Sequence, residues 1–131
     1  MKLQYLLLLT LLVTACSTNP KHTSEDNFLS YDHVWNISVG RFTSVFNITV
    51  KENGSFEGVS HWGMLHGEDV NDRIDGKING DHVTFTRYLS HSRYLGKTQT
   101  WLGIISPKKN TISGSWSGTG GSGSWTAKII N

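Results

Sequence analysis

Residues 101–130, WLGIISPKKNTISGSWSGTGGSGSWTAKII, carry the clearest architectural signal in the chain. Trp101, Gly103 and Ile105 stand two apart, then Pro107-Lys108-Lys109-Asn110 makes a turn. Ile112, Gly114 and Trp116 repeat the pattern, Gly118 to Gly123 make a second turn, and Trp125, Ala127 and Ile129 alternate with polar neighbours. A period of two bounded by turn residues is the signature of strands with one buried face. Three consecutive strands joined by short connections are an antiparallel meander.

The same period runs back to Tyr31. Trp35, Ile37 and Val39 alternate with Asn36, Ser38 and Gly40, and Phe46, Ile48 and Val50 with Asn47, Thr49 and Lys51. Glu52-Asn53-Gly54 and Asn79-Gly80-Asp81 are hairpin turns in which Asn-Gly supplies positive φ angles. Phe56, Gly58 and Ser60 share one face, as do Ile74, Gly76 and Ile78, and then Val83 and Phe85. The total is eight short strands, and no window carries a helical period. An apolar-x-Gly-x-apolar unit recurs at Ile74-x-Gly76-x-Ile78, Trp101-x-Gly103-x-Ile105 and Ile112-x-Gly114-x-Trp116. Gly on a concave face lets a sheet coil sharply and leaves room for a facing Trp. Eight strands is about the number at which a barrel interior fills with side chains or holds one small ligand. The reading is therefore an all-β, eight-stranded antiparallel up-and-down barrel, with a two-sheet β-sandwich as the alternative.

The chain has 131 residues, enough for one domain. Five Trp and five Phe are ample core material, which argues against disorder. A net charge of +2 lacks the concentrated basic surface that nucleic acid requires, so no nucleic-acid partner is expected.

The N-terminus is read as an address. Lys2 gives a positive start, and the apolar run from Leu3 to Ala15 spans only about 20 Å against a hydrocarbon core of ~30 Å. That length fits a signal peptide rather than a membrane span. Val13-Thr14-Ala15-Cys16 resembles the bacterial lipobox, and Cys16 is the only Cys in the chain. The resemblance implies cleavage before Cys16, a diacylglyceryl thioether on its thiol and a fatty acyl group, such as palmitate, on the new amine. Ordinary secretory cleavage after Ala15 is the plainer alternative. Ser17 at the next position implies delivery to the outer membrane if the cell is Gram-negative. The organisation expected is a signal peptide over 1–15, the acylated Cys16 and a polar tether over 16–30, and a barrel over 31–131. A coil as short as the tether spans about 20 Å, which keeps the barrel close to its membrane.

The barrel portion resembles the calycin-type small barrels, with avidin-like proteins nearest in layout. The residues that carry this are Trp35-Asn36, Gly54-Ser55-Phe56-Glu57-Gly58 and Ser124-Trp125-Thr126-Ala127-Lys128. The resemblance implies the barrel but not biotin. The position two after the first Trp, where avidins place a ligand-facing Asn, is Ile37, and no ligand-binding Asp follows Trp125 before Asn131.

Local chemistry is sparse. Gly114-Ser115-Trp116-Ser117-Gly118 has the outline of a hydrolase elbow with Trp where the nucleophile belongs. Neither a phosphate loop nor a zinc-protease His-Glu pair is present, so no enzyme activity and no cofactor are expected. His61, His66, Glu68 and Asp69 cluster in HWGMLHGEDVND, but their spacing matches no metal site, and a solvated loop is the better reading. That stretch, His61 to Asp72, reads as a long loop carrying the apolar Trp62, Met64 and Leu65. A second loop, Arg87 to Lys97, carries Arg87, Tyr88, Arg93 and Tyr94. Arg87 continues the face of Val83 and Phe85 and so points into the barrel, where it needs an acidic partner or a ligand. Aromatic residues with Arg are the mixture that binding surfaces favour. The connections after strands three and five open at the same end of an up-and-down barrel. The candidate binding rim is accordingly one composite site of Trp62, Met64, His66, Arg87, Tyr88, Arg93 and Tyr94. Trp35, Trp101, Trp116 and Trp125 are placed on the inner face.

The function expected is a non-catalytic, lipid-anchored envelope lipoprotein that binds a small apolar or amphipathic molecule through its barrel. The alternative is a protein-binding module, such as a periplasmic inhibitor of a lysozyme or protease, or a surface lipoprotein that meets a host.

Overall fold

The computed structural model describes residues 32–130. Cys16 with its expected lipid, the expected signal peptide and the expected tether lie outside them. Eight strands follow in chain order: β1 Asp32–Val39, β2 Phe42–Val50, β3 Ser55–Leu65, β4 Glu68–Asn79, β5 His82–Tyr88, β6 Thr98–Ile105, β7 Thr111–Gly118 and β8 Gly121–Ile130. A 3-10 turn, Ser92–Tyr94, interrupts the connection between β5 and β6. Each strand pairs antiparallel with the next, and β1 pairs with β8 from Val34↔Ile130 to Ser38↔Thr126. That last ladder closes the barrel and excludes the open sandwich.

Alternation puts one residue of each pair inside. Trp35, Ile37, Phe46, Ile48, Phe56, Ile74, Val83, Phe85, Trp101, Ile112 and Trp125 are all buried in one core. Gly103 shows how the recurring Gly serves it. A Cβ there would lie 2.8 Å from Cζ2 of Trp125, so the missing side chain is the space the indole fills. The Trp125 Nε1–H donates to the carbonyls of Leu102, at 3.0 Å, and Ser115, at 3.2 Å, so its one polar group is satisfied. Trp116 lies on the inner face with them, but it is only half-buried and packs against the edge of the core.

The stretch His61 to Asp72 is also not a long loop. β3 and β4 run through it to a two-residue turn at His66-Gly67, both with positive φ (49° and 83°) as a tight hairpin requires. Two features hid the strands. Trp62 is an extra residue between the pairs His61↔Asn71 and Gly63↔Val70, a β-bulge that shifts the alternation by one. The inward position of β4 between Val70 and Ile74 is the charged Asp72, which breaks the apolar pattern.

Connectivity assigns the ends. The β1–β2, β3–β4, β5–β6 and β7–β8 connections share one end, the mouth. The other three connections lie at the opposite end, with the start of β1 and the finish of β8. The chain therefore enters the barrel at Asp32, opposite the mouth.

Candidate functional site

The mouth opens into a half-enclosed cavity of about 230 Å³. Every connection at that end contributes to its wall: Val39 and Phe42 from the first hairpin, Trp62, Leu65 and His66 from the second, Leu89, His91 and Tyr94 from the third, and Thr119 and Gly120 from the fourth. Its deeper wall includes Trp101, Gln99, Arg87 and Asp72.

The bulge sets the entrance. Trp62 turns inward, and its Nε1–H donates to Ser60 Oγ at 3.0 Å. The Ser60 hydroxyl in turn donates to the Asp72 carbonyl at 3.2 Å. The indole meets Phe46 edge-on at 5.9 Å between centroids. Gly63, with φ +71°, takes the backbone into the left-handed region, and the phase change hands the next inward position to Leu65 instead of Met64. Met64 consequently faces out and is 68% exposed.

A polar network runs along the inner face of the adjacent strands β4, β5 and β6 beneath Trp62. The Arg87 Nε–H donates to Asp72 Oδ2 at 2.6 Å, and Nη1–H donates to Gln99 Oε1 at 3.2 Å. Asp72 is fully buried. Its Oδ1 accepts from the Ser90 backbone N–H at 2.8 Å and from the Ser90 hydroxyl at 2.6 Å. Gln99 Oε1 also accepts from Trp101 Nε1–H at 3.3 Å, and Gln99 Nε2–H donates to the Thr119 carbonyl at 2.7 Å. The Arg87 guanidinium stands 4.1 Å from the Trp62 ring centroid, a cation–π contact. Burial pulls the Arg87 pKa below its ordinary value, and the charge and hydrogen bond of Asp72 work the other way. The network thus supplies the acidic partner that an inward Arg needs.

A second carboxylate fastens the rim. Glu68 accepts from the Ser92 backbone N–H at 3.0 Å and from the Ser92 hydroxyl, pinning the β5–β6 connection to the start of β4. These two bonds hold the Glu68 carboxyl below its usual pKa, with a smaller contribution from His91. His91 Nδ1 accepts from the Arg93 backbone N–H at 3.1 Å, so Nε2 carries the ring hydrogen. That Nε2 is buried and sits 3.8 Å from Glu68 Oε1, an ion-pair distance for a charged ring but too long for a hydrogen bond. His91 also meets the rings of His66 and Tyr94, each at 5.9 Å.

No protein-family model matches the chain, and no curated protein matches it. Among solved structures, the rhizavidin–biotin complex superposes with a TM-score of 0.59 at 21% identity, over 78% of this chain and 93% of that one. The barrel is avidin-like. At that identity the likeness concerns the fold. Within this avidin-like barrel, Ile37 is 1% exposed and belongs to the apolar core.

Of the rim residues read from the sequence, Trp62, His66, Arg87 and Tyr94 meet at the cavity. Met64, Tyr88 and Arg93 do not. Tyr88 lies on the other face of β5, where its hydroxyl donates to Asp75 Oδ1 at 3.3 Å and the Arg73 guanidinium covers its ring at 3.9 Å. Arg93 is exposed, 5.4 Å from the Tyr94 ring centroid. His61 is also outside, with Nδ1 2.6 Å from Asn71 Oδ1, and among the described residues no three His, Cys, Asp or Glu side chains converge as metal ligands. Sequence reasoning missed Asp72, Gln99 and Leu65 as wall residues. Asp72 had a signal, since it stands two positions before Ile74 on the inward face of β4.

Proposed function

We propose that the chain is a non-catalytic, lipid-anchored envelope lipoprotein that binds a small apolar or amphipathic molecule in the mouth of its barrel. The observation that carries the reading is the cavity itself: Trp62, Trp101 and Trp116 with Leu65, Val70 and Leu89 supply an apolar wall, and Arg87 one polar contact. Small-molecule sites combine these two elements, a mostly apolar surface and a few placed polar groups. At about 230 Å³ the cavity is below the ~300–1,000 Å³ range of sites for drug-sized ligands, so its ligand is small. The solved neighbour, a complex with biotin, lends the fold a precedent for small ligands. The lipobox at Cys16 supports the anchor and with it an envelope location.

The test is intrinsic fluorescence of the purified chain against a panel of metabolites and short lipids, because three Trp line the cavity. A ligand should shift the emission saturably, and Trp62→Ala should weaken it. A panel without any saturable shift, or shifts that Trp62→Ala leaves untouched, would overturn the reading.

One observation favours a second reading, a protein-binding rim. Met64 near the end of β3 and Leu95 in the β5–β6 connection, 68% and 72% exposed, both lie toward the mouth. Retention of a protein partner that is lost in Met64→Ser with Leu95→Ser would support it.

A further inference from the structure

If the mouth is a binding site, its wall also specifies the chemistry of the ligand. Phe85 and Trp101 stack at 5.4 Å with 22° between planes, and Trp101 and Trp116 at 6.1 Å with 24°. These near-parallel rings run from the core to the cavity, which Trp101, Trp116 and Trp62 line together. Aromatic rings favour offset-stacked and edge-to-face contacts with one another, so a wall of three indoles suits a flat ring.

Charge decides the other end of the molecule. Arg87, the cation of the deep wall, is already matched by Asp72. Asp72 is fully buried, so a ligand cannot reach its oxygens, and both of them already accept hydrogen bonds from Arg87 and Ser90. Gln99 spends its carbonyl on Arg87 and Trp101 and its amide on Thr119. Arg87 differs: it keeps 9% exposure at the cavity, and among the described residues Asp72 and Gln99 engage two of a guanidinium's five N–H groups. The deep wall therefore offers donors and no free acceptor. An ammonium group finds nothing there to accept its protons. A carboxylate finds donors, but it adds a second negative charge beside a pair that is already neutral, and it gives up its own hydration. A neutral carbonyl takes the charged hydrogen bond with no added charge and with a smaller loss of hydration.

We infer that the cavity selects a small, flat, uncharged molecule with a carbonyl-type acceptor at one edge, the ring against the indole wall and the oxygen on Arg87. The inference rests on the proposed binding function of the mouth. Three probes of similar shape test it on the purified chain by calorimetric titration at neutral pH: 2-acetylnaphthalene, 2-naphthoate and 2-naphthylmethylammonium. The ketone, which carries an acceptor and no donor, should bind about tenfold tighter than the carboxylate, with the ammonium weakest. Asp72→Asn removes the compensating charge but keeps an acceptor for Ser90, so in that variant the carboxylate should gain on the ketone. If the variant does not fold, the wild-type ranking decides alone. A wild-type preference for the carboxylate or the ammonium, or a folded Asp72→Asn with an unchanged ranking, would overturn the inference and leave the cavity a binding site. If none of the three probes bound, both readings would fall.

Discussion

Asp72 and Arg87 meet inside the barrel from neighbouring strands. Arg87 pairs with Ile74 in the β4–β5 ladder, and Asp72, two residues before Ile74 on the same face, reaches it diagonally at 2.6 Å. Removing one member of a buried ion pair strands the other. Arg87→Met should destabilise by about 3–5 kcal/mol. The double change Arg87→Met with Asp72→Leu should recover most of that loss, because an apolar pair of similar volume is often as stable as the buried ions. Denaturant melts of the two singles and the double close the cycle. A single-variant cost under about 1 kcal/mol would mean that water reaches the pair freely.

The two C-terminal Trp should behave differently, although they alternate with Ser and Thr in the same manner. Trp125 is 2% exposed and its Nε1–H donates to two carbonyls, whereas Trp116 is half-buried and its Nε1 finds no hydrogen-bond partner among the described residues. Trp125→Ala should cost about 3–5 kcal/mol. Trp116→Ala should cost about 1–2 kcal/mol, in proportion to the smaller area it buries. Equal costs would show that Trp116 carries as much of the core as Trp125.

The contrast between these two Trp marks how far the sequence could be read. The barrel is legible because period two is unbroken over most strands and the turns carry Asn-Gly or clustered Gly, so tertiary packing and local preference agree. The mouth is where they part. The bulge at Trp62 reverses the phase after it, which is why Leu65 and not Met64 lines the cavity. Tyr88 reads as a rim residue because it adjoins Arg87, but adjacent residues of a strand face opposite sides. The inward course of Arg87 follows from Val83 and Phe85, while its partner is concealed because an inward Asp reads as a loop residue. The half-burial of Trp116 depends on its height in the barrel, which alternation does not encode.

Glu68 gives the rim a pH dependence. Its carboxyl is held below the ordinary value of 4.5 by the two Ser92 bonds. A carboxyl depressed in the folded state adds stability that is present above its unfolded pKa and is lost as pH falls through the folded one. The tie between Glu68 and Ser92 should therefore hold at neutral pH and release only below 4.5. In NMR spectra the Ser92 amide shift should titrate with a midpoint below that value, and Glu68→Gln should abolish the titration. A midpoint at or above 4.5 would show that the carboxylate does not accept from Ser92 in solution.

Cys16 should carry the lipid. Radiolabelled palmitate should enter the full-length chain in a bacterial host and not Cys16→Ala. Equal labelling of both would remove the lipoprotein reading while leaving the barrel as it stands.

The mouth should act as one site rather than two. Trp62 comes from β3 and Tyr94 from the β5–β6 connection, and both line the same cavity. Tyr88 lies between them in the chain but on the outer face, engaged with Arg73 and Asp75. Trp62→Ala and Tyr94→Ala should each weaken the same ligand, whichever compound the fluorescence panel selects. Tyr88→Ala should leave that affinity within about twofold, because its ring never meets the cavity. Trp62 packs on Phe46 and against Arg87, so its removal will also lower the melting temperature. Tyr94 is only half-buried, so Tyr94→Ala tests binding with little change in stability. If Tyr88→Ala weakened the ligand as much as Tyr94→Ala did, the ligand would have to sit on the outer wall of β4 and β5, and the mouth would lose its claim to the function.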